Sequence, residues 1–177
     1  MIESKFKELA NLYHTEYKRE DYKVTGQLFS KLPITVYTIQ IIHQNIPIDI
    51  SFEFGNHNVA DFKFKLDLNQ RTPNFTITTL DNFSRIFRFH KNTWKIDCKD
   101  ELMKSSLQRI LRTSGFEDLA KKELFEPNIE AKHNSVNYEI KIFYYLGFNN
   151  KEDSLFLVTE FCKLLIDTLK NRYSKIL

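Results

Sequence analysis

The chain has 177 residues, of which 42% are apolar, 28% charged and 14% aromatic, with only 4 Gly and 4 Pro. Such a chain can bury a large core, at roughly 1.5–3 kcal/mol per large side chain, which excludes extensive disorder and glycine-rich linkers. A net charge of +3 is too weak to mark a dedicated nucleic-acid binder, and two cysteines make neither a disulfide framework nor a metal-ligand spacing.

Residues 2–20 place Ile2, Phe6, Leu9, Tyr13 and Tyr17 at steps of three or four with charges between them, the pattern of an amphipathic helix. Residues 21–31 read as a connector with Gly26 as its turn. Residues 34–42 are β-branched and aromatic on both alternating faces, with Ile34, Val36 and Ile42 against Tyr37, Ile39 and Ile41. A strand of that kind sits inside a sheet with both faces covered.

The clearest pattern follows. Residues 46–54 and 59–68 alternate apolar and polar side chains on either side of Gly55-Asn56-His57-Asn58, which predicts an antiparallel hairpin. Pairing Phe52 with Phe62, Ile50 with Phe64 and Ile48 with Leu66 sets apolar partners opposite one another. Residues 74–80 and 93–98 read as two further strands, with a short helix over 81–90 capped by Asp81. Helices are expected at 99–113, opening on Asp100 and Glu101 and stopping at Gly115, and at 116–125, closed by Pro127. Strands 128–133 and 137–146 form a second hairpin about Asn134-Ser135.

The last helix, 151–175, carries Leu155, Val158, Cys162, Leu165, Leu169 and Ile176 at steps of three, four or seven. Asn150 and Asp153 stand in the places of a capping box. The order predicts one α+β domain over 1–177. Its core is a largely antiparallel sheet of about six to seven strands, with the N-terminal helix, a helix pair and the long C-terminal helix packed on it.

Chemistry is harder to find. Residues 83–95 combine four Lys/Arg with four aromatics, and Arg85, Arg88, His90, Lys91, Trp94 and Lys95 form a candidate surface for single-stranded nucleic acid. An ordinary solvated face over an inward-pointing Phe83, Ile86 and Phe87 accounts for the same residues more simply. Four of the five histidines, His43, His57, His90 and His133, border Asn-containing turns, and no pair has the close helical spacing of a zinc site. Nucleophile-elbow, phosphate-loop and dinucleotide-binding glycine patterns do not occur, so no catalytic, metal or cofactor residue is assigned.

Cys98 and Cys162 alternate with core residues and read as reduced, buried thiols. The charged N-terminal segment lacks the apolar run of an export signal, so a cytoplasmic protein without membrane contact is expected. The two-faced strands make protein binding or self-association the leading expectation. An apolar ligand held between sheet and C-terminal helix comes second, and nucleic acid third.

Overall fold

The computed structural model describes residues 1–25, 31–68, 72–79, 94–134 and 136–173. Helix α1 (Ile2–Tyr13) leads into strands β1 (Tyr17–Thr25), β2 (Lys31–His43), β3 (Ile46–Phe54) and β4 (Val59–Leu66). After β5 (Phe75–Thr79) and β6 (Trp94–Cys98) come helices α2 (Glu101–Thr113) and α3 (Phe116–Lys122). Strands β7 (Asn128–His133) and β8 (Tyr138–Tyr145) precede the long helix α4 (Lys151–Tyr173). The eight strands make one open sheet in the order β1-β2-β3-β4-β8-β7-β5-β6, and every adjacent pair is antiparallel. The α+β architecture is therefore as expected, with one strand more.

The extra strand is β1. Helix α1 stops at His14, whose φ of 50° places it in the left-handed conformation that ends helices. Tyr13 and Tyr17 fit a helical step, yet Tyr17 begins a strand that pairs with β2 from Tyr17↔Ile39 to Thr25↔Lys31. Nearly every β1 residue is exposed, so the strand leaves no apolar alternation to detect. It holds its place through the backbone ladder and through Arg19, which bonds Glu3 of α1 at 2.9 Å and Asp21 at 3.0 Å. Charged side chains along an edge strand also discourage pairing with other chains.

The register of the first hairpin differs from the expected one by two residues: Ile48 faces Phe64, Ile50 faces Phe62 and Phe52 faces Ala60. Alternation fixes only which face a residue takes, so a slip of two preserves the dry side. The turn decides the rest. Gly55 has φ 122° and donates its N–H to Asn58 Oδ1 at 3.1 Å, while Asn58 itself adopts φ 51°. A Cβ at Gly55 would lie 2.1 Å from the Pro33 carbonyl oxygen, so only glycine fits against β2.

Helix α4 lies over the middle of the sheet, burying Leu155, Val158, Phe161, Cys162, Leu165, Ile166 and Leu169. Asn150 does not cap it through its side chain. Its amide donates to Glu123 Oε1 at 3.0 Å, while its carbonyl accepts from Asp153 N at 3.0 Å. The expected helix over 116–125 is shorter, because Glu123 turns to an extended conformation. The expected helix over 81–90 lies outside the described residues.

Helices α1, α2 and α3 share one side of the sheet with α4. The side chain of Phe6 on α1 meets Tyr37 and Phe52, and that of Phe116 on α3 meets Phe161 of α4 at 4.6 Å between ring centroids. Rings run almost continuously through this layer, from Phe6 and Phe52 to Tyr144, then Phe125 and Phe116. The space between sheet and α4 is thus filled by side chains. Phe52, fully buried and in contact with four other rings, has no neighbour able to fill its volume if it is truncated. Phe52→Ala is expected to lower the unfolding free energy by about 3–5 kcal/mol in denaturant melts. A variant that melts with the wild type would contradict this core.

Candidate functional site

The described helices occupy one side, and none of them covers the other face of the sheet. The second, apolar face of β2 is therefore not covered by any described helix. Ile42 is 63% exposed there, although Ile34 is buried.

Register sorts this open face into rows. One row runs Glu20, Val36, Glu53, Val59, Tyr145 across β1, β2, β3, β4 and β8. The next runs Lys18, Thr38, Ser51, Asp61, Phe143, Asn128, and a third runs Gln40, Asp49, Lys63, Lys141, Glu130, Thr76, Asp97. The apolar side chains Val36, Val59, Phe143 and Tyr145 thereby gather at one end, while the middle is polar. Phe143 and Tyr145 meet edge to face, with ring centroids 5.2 Å apart and planes at 84°. Tyr145 is 63% exposed.

Three ion pairs within single strands neutralise part of the charge on this face. Lys63 faces Lys141 across the ladder, and each turns to an acid two residues earlier, Asp61 at 3.4 Å and Glu139 at 3.3 Å. Lys132 likewise bonds Glu130 at 2.9 Å. Asp49 stands opposite Lys63, and its carboxylate accepts from Gln40 Nε2 at 2.7 Å. Glu20 and Glu53, in the row of Tyr145, form no ion pair among the described residues. Glu53 accepts only a long bond from the His57 backbone N–H at 3.4 Å.

Two hollows flank these rows. One, of about 410 Å³, lies on the open face and is lined by Lys18, Thr38, Gln40, Asp49, Ser51 and Asp61 among others. A larger cleft of about 990 Å³ opens at the end of β5, β6 and β7 beside Asp100, Cys98, His133 and Tyr173. Its titratable groups are tied to structural work. His133 Nε2 pairs with the Thr72 carbonyl at 3.1 Å, and the Tyr138 hydroxyl donates to Pro73 O at 2.6 Å. Asp100 caps α2 by accepting from Met103 N at 2.9 Å, which holds its carboxyl below the usual carboxylate range. Burial pushes the Cys98 and Cys162 thiols upward, away from the reactive thiolate.

Among the described residues, His43, His57 and His133 do not converge. His43, at the far end of β2 from the turn that holds His57, pairs with Asp167 of α4 at 2.5 Å. His133 lies at the same end as His43 but four strands away, about 19 Å at ordinary strand spacing. Among the described residues no group of three or more His, Cys, Asp or Glu could hold a metal ion, and no helix is long and apolar enough to cross a membrane.

Of the residues singled out from the sequence, Arg85, Arg88, His90 and Lys91 lie outside the described residues. Trp94 and Lys95 belong to β6 and point to opposite faces, as strand alternation requires. Trp94 turns to the helix side and stacks on Phe116 at 6.1 Å, while Lys95 is exposed on the open side. Phe143 and Tyr145 belong to one of the two-faced strands from which protein binding is expected, but the sequence does not single out their corner. Nothing in one strand's sequence says which of its faces the helices leave bare.

No family model, curated protein or solved structure matches this chain. The fold itself defines the class: an α+β domain whose antiparallel sheet carries its helices on one side. For the cleft, Asp100→Ala should cost about 1 kcal/mol as a lost helix cap. Since the folded carboxyl titrates below its unfolded value of about 3.9, that contribution is present above the unfolded value and disappears as pH falls through the folded one. Urea melts of both proteins should differ near neutrality and converge in strong acid; an undiminished gap in acid would rule out a charged cap.

Proposed function

We propose that this protein is a non-catalytic binding module whose working surface is the open face of the sheet and whose ligand is another protein chain, a second copy included. The observation that carries this reading is the segregation of Val36, Val59, Phe143 and Tyr145 to one end of a face bearing no described helix. Large exposed rings cost solvation free energy unless something covers them, and aromatic side chains dominate the energetics of protein interfaces. The titratable groups support binding over catalysis, since each described histidine near a carboxylate or carbonyl serves to fasten one element to another.

Filling of the layer between sheet and α4 by rings favours a surface partner over a small apolar molecule held inside. Trp94, stacked on Phe116, is committed to the helix side, which weakens its part in a base-stacking platform.

A photo-reactive phenylalanine analogue placed at position 145 tests the surface directly in the protein's native cellular extract. Cross-links to a discrete protein, or to a second copy, are expected from position 145 and not from Glu101 on the exposed start of α2. Equal yields from both positions, or none from 145, would remove the open face as the working surface. Sedimentation velocity at rising concentration separates a second copy from a different partner.

A further inference from the structure

The geometry points to the corner between Phe143 and Tyr145 as a seat for an arginine side chain of the protein partner, a deepening that rests on the open face being the binding surface. Three features of that corner select a cation. The two rings stand nearly perpendicular, at 84° and 5.2 Å, so one ring face remains available beside the edge of the other. A guanidinium laid on an aromatic face is attracted by the ring quadrupole, by about 0.5–1 kcal/mol at exposed sites.

The second feature is charge. Asp61, the cross-strand partner of Phe143, is held by Lys63 at 3.4 Å, but Glu53 shares the row of Tyr145 two strands away. That is about 10 Å at ordinary strand spacing, a gap that an arginine and a glutamate side chain close together. Lys63, Lys141 and Lys132 quench the acids of their own strands, Asp61 included. In the row of Tyr145, Glu20 and Glu53 have no such cation among the described residues. Their field is left for a partner to satisfy.

The third feature is shape. Val36 and Val59 continue the row beside the rings, giving an apolar floor for the methylene stem that an arginine lays down before its charged head. Arginine suits the corner better than lysine because its planar head stacks on a ring while its N–H groups reach carboxylates on either side.

The test uses the intact protein with N-acetyl-arginine methylamide as probe, and its citrulline counterpart as the uncharged control of nearly equal shape. Ring-proton resonances of Phe143 and Tyr145 are followed by NMR during titration. The arginine probe should shift both rings saturably, and the citrulline probe should not. Glu53→Gln should weaken the arginine response about two- to fivefold, as should added salt. Tyr145→Leu, which keeps apolar area but removes the ring, should abolish it. Equal responses to arginine and citrulline, or no response to either, would overturn the arginine seat. Cross-linking from position 145 would be untouched by that outcome, so the two readings fail separately.

Discussion

The ring of Phe52 touches Phe6 of α1, Phe62 of β4 and Tyr144 of β8, and so joins the first helix to the centre of the sheet. Phe52 lies opposite Ala60, and the small partner leaves room for rings arriving from both sides. The remaining helix contacts continue from there: Tyr144 meets Phe125, Phe125 meets Phe116, and Phe116 stacks on Phe161 of α4. One layer of rings is thus sandwiched between one sheet face and all the described helices. The constraint has a direct consequence on the other side. Once every described helix is committed to the ring layer, the reverse face of the sheet carries whatever its strands present.

What those strands present is set by pairing. Val36, Val59 and Tyr145 are 23 or more residues apart in sequence and become neighbours only through the ladders β2–β3–β4–β8. The same ladders bring Lys63 against Lys141, and in-strand acids absorb the repulsion. Such exposed pairs contribute little stability, about 0–1 kcal/mol each. Their importance is that they cancel the charges of Asp61, Lys63, Glu130, Lys132, Glu139 and Lys141 on this face. A sheet face with one apolar and acidic end is suited to touching something with the opposite charge.

The ends of the sheet are fastened by polar contacts. His43 and Gln44, at the β2–β3 turn, both reach Asp167 of α4, and Lys170 reaches back to the Gln44 carbonyl. One turn beyond Lys170, Tyr173 donates a long bond to Asp100, the cap of α2. Residues that would be read as catalytic in a cleft are here fixing the last turns of α4 to the β2–β3 turn and to α2. Their chemistry is spent on position.

Local pattern and composition were enough for the two hairpins, the cap of α2, the buried thiols and the length of α4, because each depends on neighbours within a few residues. Strand β1 was illegible, since an exposed edge strand buries nothing and shows no period. Alternation placed Phe52 and Phe62 on the dry side but could not choose their partners; Gly55, pressed against Pro33, and Asn58 made that choice through the turn. The apolar second faces of 34–42 and 138–146 were visible as residues, yet their meaning was not. Whether such a face is buried depends on where helices distant in sequence come to rest. The ring layer drew all the described helices to one side, and only that packing turned Phe143 and Tyr145 from apparent core into surface.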